Sequence, residues 1–165
     1  MPWRYCLGVS VKSRSQLVRQ LQQIFVLLDD GDRRALRATG LTPTQYSLLR
    51  AVDESPRREL TVSRLADVLL CTRGNAARLV RRLQDGGLVG TKEDPRDQRL
   101  RIVTVTAEGR RRLTAAADEL ERADLRRLSR LTPEELGELS DLTDRLAGAL
   151  VQDLTERDED GQRVG

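Results

Sequence analysis

Apolar positions along this chain recur with two periods, one near 3.6 residues and one near 2. The switch from the first to the second and back again divides the sequence. Leu17, Leu21, Ile24 and Leu28 fall at i, i+4, i+7 and i+11, one face of a helix that ends near Asp29-Asp30-Gly31 or somewhat beyond. Thr42-Pro43-Thr44-Gln45 opens a second helix, with Thr42 as N-cap, Pro43 at the first helical position and Gln45 placed to bond back. That helix carries Tyr46, Leu48, Leu49 and Val52 and stops before Pro56. Thr61 starts a third of about ten residues, and Thr72 caps a fourth that runs to about Asp85, where Gly86-Gly87 accepts the left-handed backbone of a helix end.

The period then changes. Leu88 to Glu93 and Leu100 to Thr106 read as strands, the second rich in β-branched residues, around the turn sequence Asp94-Pro95-Arg96-Asp97. Helical spacing resumes from Ala107 to about Ser129 with Leu113, Ala117, Leu120 and Leu128. Thr132-Pro133-Glu134-Glu135 repeats the capping box before Leu139, Leu142, Leu146 and Leu150. Two short helices around a tight turn form a helix-turn-helix, and a hairpin directly after it is a wing.

The expected fold is therefore mainly α with a small β-hairpin wing (α+β). Residues 1–12 form a flexible N-terminus and 41–106 a winged helix-turn-helix lobe. A helical dimerisation region is drawn from 13–40 and 107–154, and 155–165 is a flexible tail. The dimer expectation follows from the leucine faces. Leu17, Leu21 and Ile24 at one end, and Leu139, Leu142, Leu146 and Leu150 at the other, would leave an exposed apolar patch in a monomer.

Composition narrows the function. Aromatics are 2% of the chain, so aliphatic side chains must fill the core. Histidine is absent and Cys6 and Cys71 are the only cysteines, which leaves no ligand set for a structural zinc and no disulfide framework. Neither paired acid-base groups nor a phosphate-cradling glycine loop is present, so an enzyme is not expected, and no metal or cofactor is implied. No apolar run is long enough to span a bilayer, and Met1 to Ser13 lacks the apolar stretch of a secretory signal; the expected location is the cytoplasm. Charge is uneven: nine Arg/Lys stand against five Asp/Glu from Leu60 to Val105, and ten against fifteen from Thr106 to Gly165.

At 100° per residue the fourth helix gathers Ala76, Leu79, Val80 and Leu83 on one face. Gly74, Arg78 and Arg81 point away from it, flanked by Asn75 and Arg82. Arginine can bond guanine bidentately, asparagine can bond adenine, and glycine lets the backbone approach closely; a solvated basic face has the same composition. The hairpin turn adds Arg96 and Arg99 around Asp97. A cationic tip suits the narrow minor groove, and a carboxylate two residues away can orient a guanidinium. The residues thus point to double-stranded DNA, with a protein-interaction module of the same fold as the alternative.

Asp97-Gln98-Arg99 followed by Val103, Val105-Thr106 and Gly109 resembles the D-x-R-x-x-x-V-x-L-T-x-x-G signature of the multiple-antibiotic-resistance regulator (MarR) family, with Val105 in place of the usual leucine. The run from Arg78 to Val89 is similar to that family's recognition helix and its Gly-Leu-Val exit, and Leu41 to Tyr46 to its second helix. The resemblance implies a dimeric regulator, expected to be a repressor on a pseudo-palindromic operator. It puts the third helix of the lobe in the major groove and Arg99 in the minor groove, with Asp97 orienting Arg99. It sends Thr72, Arg73, Gly74 and Asn75 to bases or phosphates. It also implies release by a small, often phenolic or anionic effector, for which Phe25 and Tyr46 are the candidate pocket residues. Oxidant-sensing members carry a thiol in the first long helix, which has none here; Cys71 at the helix-turn-helix corner reads as a small buried apolar residue.

Overall fold

The computed structural model describes residues 14–95, 97 and 100–163, with side chains described as far as 154. Its helices are α1 (Arg14–Ala35), α2 (Pro43–Glu54), α3 (Val62–Val68), α4 (Arg73–Asp85), α5 (Ala107–Leu128) and α6 (Pro133–Arg163). Its strands are β1 (Glu59–Thr61), β2 (Val89–Glu93) and β3 (Arg101–Val105). The fold is mostly helical with one small antiparallel sheet, as the periodicity predicts. The chain divides into two units at Ala123/Asp124.

In the first unit the predicted helix starts are built as expected. The Thr42 N–H donates to Gln45 Oε1 at 2.9 Å, and the Gln45 N–H donates back to Thr42 Oγ1 at 3.3 Å. Thr61 and Thr72 cap α3 and α4 by accepting from the N–H groups of Arg64 and Asn75. Such caps satisfy donors that a helix end otherwise leaves orphaned. Helix α1 passes through Gly31 to Ala35, carried across that weak point by ion pairs of Asp29 with Arg33 and Asp30 with Arg34, one turn apart.

The sheet holds three strands where the sequence predicts two. Its order is β1-β3-β2, all antiparallel, with Leu60 opposite Val103 on one side of β3 and Thr91 opposite Val103 on the other. β1 is only three residues long, too short for alternation to be read. It exists because β3 offers it a ladder. Helix α3 is seven residues rather than about ten, because Leu69 and Leu70 already belong to the turn. Leu36, Leu48, Leu49, Val52, Leu65, Leu83 and Val103 are fully buried and knit α2, α3, α4 and the sheet around one core.

Helix α4 ends in a Schellman turn: the Gly87 N–H reaches the Gln84 carbonyl at 2.9 Å and the Leu88 N–H the Leu83 carbonyl at 2.8 Å. Gly87 supplies the left-handed backbone, at φ 70°. The next peptide carbonyl, that of Leu88, accepts the Thr106 N–H at 3.0 Å. The Thr106 hydroxyl lies 2.8 Å from the Gly87 carbonyl and 3.1 Å from that of Leu88, and donates to one of them at a time. It also accepts the Gly109 N–H at 3.0 Å. A Cβ on Gly109 would overlap the Leu88 carbonyl oxygen and come within 2.8 Å of Val105 Cγ1. The Thr-x-x-Gly spacing thus lets α5 start directly against the base of the wing.

In the second unit, Thr132 and Glu135 form the predicted reciprocal box, with the Thr132 N–H on Glu135 Oε2 at 2.8 Å and the Glu135 N–H on Thr132 Oγ1 at 3.2 Å. Helix α6 continues to Arg163, where the sequence suggests a loose tail from Thr155; no proline interrupts the stretch, and Gly161 alone does not end the helix. No described residue of α1 or α6 is buried, and Leu17, Ile24, Leu28, Leu139, Leu142, Leu146 and Leu150 are all exposed. No helix among the described residues is long and apolar enough to cross a membrane.

Gly109→Ala is expected to lower folding stability by about 1–3 kcal/mol through overpacking at the Leu88 carbonyl. The loss should appear as a lower urea midpoint with an unchanged slope. A wild-type midpoint would mean that α5 can stand off from the wing at little cost.

Candidate nucleic-acid interface

Helix α4 is amphipathic in the sense the sequence predicts. Ala76, Val80 and Leu83 are buried and Leu79 half-buried, while Arg73, Gly74, Asn75, Arg78, Arg81 and Arg82 are exposed. Four arginines on one helix face a single acid, Asp85 at its last position. Arg78 is braced by Asn75, its Nη2 donating to Asn75 Oδ1 at 3.4 Å. Arg73, Arg81 and Arg82 have no ion-pair partner among the described residues. The contrast with the first turn of α5 is direct, since there Arg111 and Arg112 both bond Glu108.

The Thr72 hydroxyl accepts the Asn75 N–H in capping α4, which leaves its proton free to donate to a further partner. A Cβ on Gly74 would meet no atom within 4 Å, so nothing inside the chain requires glycine there. Ala77 is exposed as well and sits three residues after Gly74 and four before Arg81 on the same stripe. Sequence reasoning passed over it because alanine carries no polar chemistry, although its exposure follows from the same helical period.

At the wing, β2 and β3 pair from Val89↔Val105 to Glu93↔Arg101, and beyond them the Asp94 N–H reaches the Leu100 carbonyl and the Leu100 N–H the Asp97 carbonyl, both at 2.9 Å. The hairpin is thus closed to the edge of its turn, and Asp97 is exposed on it. Arg96 and Arg99 lie outside the described residues, as does Cys6.

The exposed basic face of α4 is followed directly by the closed hairpin of β2 and β3. The MarR family model matches residues 39–100, from the turn before α2 to the wing. The transcriptional regulator HosA of Escherichia coli O111:H- is 33% identical over 122 residues, 74% of this chain and 87% of HosA. The chain belongs to the MarR family.

Sco3205, a MarR family transcriptional regulator from Streptomyces coelicolor whose crystal structure is in complex with DNA, superposes with a TM-score of 0.75 at 32% identity, over 86% of this chain and 94% of Sco3205. The transcriptional activatory protein BadR of Rhodopseudomonas palustris is 34% identical over 97 residues, 58% of this chain and 55% of BadR. Membership makes the chain a transcriptional regulator of a non-enzymatic family.

The MarR-type effector residues anticipated from sequence are less clearly placed. Phe25 is 69% exposed on α1. Tyr46 is half-buried against the core, with the Arg50 guanidinium 5.8 Å from its ring centre. Neither ring lines either of two open clefts in this unit. One, of about 430 Å³, lies along β1 between Arg57 and Lys92. The other, of about 470 Å³, lies between Thr39-Gly40 and the Glu108, Arg111 and Arg112 side chains. Cys71 is half-buried rather than buried, and unpaired.

Hydrogen bonds from Arg112 and then Arg111 hold the Glu108 carboxyl below its ordinary value of 4.5. A group lowered on folding stabilises the native state above its unfolded pKa, and that contribution is lost as pH falls through the lowered one. A carboxyl carbon NMR titration should therefore place Glu108 below 4.5. Glu108→Gln should flatten the acid limb of the stability curve in the same window. A Glu108 midpoint at or above the ordinary value would show that the two arginines do not hold it in solution.

Proposed function

We propose that the protein is a dimeric, sequence-specific repressor that reads double-stranded DNA with α4 in the major groove and the wing in the minor groove. The observation that carries this reading is the α4 face: an arginine-rich helix side with a backbone-exposing glycine, whose one acid, Asp85 at the far end, pairs with none of Arg73, Arg81 and Arg82 among the described residues. Such a face costs self-repulsion, which phosphates relieve. Arg78, with Asn75 beside it, is the base-reading candidate, and Arg73, Arg81, Thr72 and Gly74 line the approach. Arg99, oriented by Asp97, and Arg96 are the wing contacts. DNA binding by Sco3205 supports the assignment by kinship.

The uncovered leucine faces of α1 and α6 support self-association, each face covered by a second copy. Two recognition helices then address half-sites about one helical turn, ~10 bp, apart. Occupying a promoter is enough to block it, so repression asks nothing beyond this interface. The activatory protein BadR marks the opposite sign within reach of the same family. A pocket at Phe25 and Tyr46 for a small effector stays an expectation of the resemblance alone.

Selection from random duplexes by the pure protein should return a pseudo-palindrome with that spacing, bound by a species of twice the chain mass in light scattering. Its affinity should fall steeply with salt. Recovery of unspaced, asymmetric sites by a stable monomer would contradict the proposal, and salt-independent binding would favour a protein-interaction module instead.

Gly74→Ala and Arg78→Ala separate binding from folding. The first should leave stability unchanged or raise it by up to about 1 kcal/mol, since alanine is the better helix residue, yet weaken the operator complex. The second should relax preference at one base position at a cost of about 1–3 kcal/mol. Both are read by titrating the operator and its single-base variants at one fixed salt concentration. Wild-type binding by both variants would remove α4 from the interface.

A further inference from the structure

In the first unit Gly40 and Gly87 both take the left-handed backbone at φ 70°; where α3 turns into α4, the left-handed residue is Leu70 at φ 48°. The turn is the same Schellman arrangement as at Gly87. The Leu70 N–H reaches the Asp67 carbonyl at 3.2 Å and the Cys71 N–H the Ala66 carbonyl at 2.9 Å. Glycine takes that position without cost, and a branched side chain does not. Core packing offers no compensation, because Leu70 is 84% exposed, the most exposed large apolar residue among those described. The other two left-handed non-glycine residues, Arg57 and Arg58, carry charges that water solvates. Leu70 thus meets an unfavourable backbone and an unfavourable solvent at once.

Its position is two residues before Thr72, the cap of α4, and therefore on the same end of the helix as Arg73, Gly74 and Asn75. In a helix-turn-helix that end is the one that meets base edges. We propose that Leu70 is a further specificity-determining residue, whose side chain packs on the 5-methyl group of a thymine in the operator half-site. This inference rests on the DNA-binding reading above. The apolar contact is one the major groove offers only at thymine, so it adds discrimination that the arginines do not provide. The two backbone hydrogen bonds fix the turn, so the side chain is presented in place rather than recruited on binding.

The test uses the tightest duplex recovered by selection, and the same duplex with its half-site thymines replaced by deoxyuridine, which lacks only the methyl group. Wild type should lose about fourfold in affinity for each contacted methyl removed, the fold-change that corresponds to one buried methyl group. Leu70→Ala should bind the thymine duplex more weakly by a similar factor and be indifferent to the replacement. Leu70→Gly should bind as Leu70→Ala does yet melt at a higher temperature than it, since both lack the side chain and only glycine is at ease at this φ. Wild-type affinity of Leu70→Ala for the thymine duplex would overturn the inference while leaving the DNA-binding reading intact. Equal sensitivity of wild type and Leu70→Ala to deoxyuridine would overturn it too. Failure of the wild-type protein to select any duplex would overturn both.

Discussion

The backbone of Leu88 is the point on which the lobe's geometry turns. Its N–H closes the end of α4 and its carbonyl takes the Thr106 N–H as β3 ends. The same carbonyl lies where a side chain on Gly109 would stand, in the first turn of α5. The backbone of one residue therefore fixes the exit of the candidate recognition helix, the base of the wing and the entry of the long arm. Backbone hydrogen bonds of this kind are individually modest in net energy, near 1 kcal/mol. Their consequence here is geometric: helix, hairpin and arm cannot move independently near this point without leaving buried polar groups unpaired. The end of the family signature, Val105-Thr106 and Gly109, specifies this junction. Threonine bridges two segments with one hydroxyl, and glycine three residues later leaves room for the Leu88 carbonyl.

Charge is distributed on the same logic. On α5 the acid sits in the first turn, where the helix dipole favours it, and draws two arginines back onto the helix surface. On α4 the first turn carries Arg73 and no acid, against the dipole. A helix selected for stability alone would not be written this way; one whose N-terminal end meets an anion would. Thr72 offsets part of that cost by capping the helix while the cations stay extended.

Much of this was legible in the sequence because it is encoded locally. The starts at Thr42, Thr72 and Thr132, the stop at Gly86-Gly87 and the amphipathic split of α4 each depend on residues within one or two turns of each other. What was not legible depends on partners distant in the chain or on an exception to a local rule. β1 is a strand only because β3, some forty residues later, pairs with it. Helix α3 ends early because Leu70 adopts a conformation that leucine rarely takes, and nothing in Leu69-Leu70-Cys71 announces it. Cys71, read from its place at the corner as buried, is half-buried in that turn. The exposed basic face was readable residue by residue, but Ala77 became part of it only once solvent exposure replaced chemistry as the criterion.

The distribution of burial also separates two requirements that sequence alone merges. Every residue of the closed core lies between Leu36 and Ala116, so the lobe buries its own hydrophobic surface without α1 or α6. Those helices contribute no buried residue among the described ones and leave most of their leucines exposed, Leu21 and Leu136 being half-buried. The proposed second copy is accordingly not needed to fold the lobe; it is needed to hide the arms. On the proposed reading, association would set the distance and orientation between two already formed interfaces, so that affinity for a palindrome would depend on the arms and base preference on α4. Substitutions on the leucine faces and substitutions on the α4 face should then alter different properties of the same complex, because no core residue is shared between them.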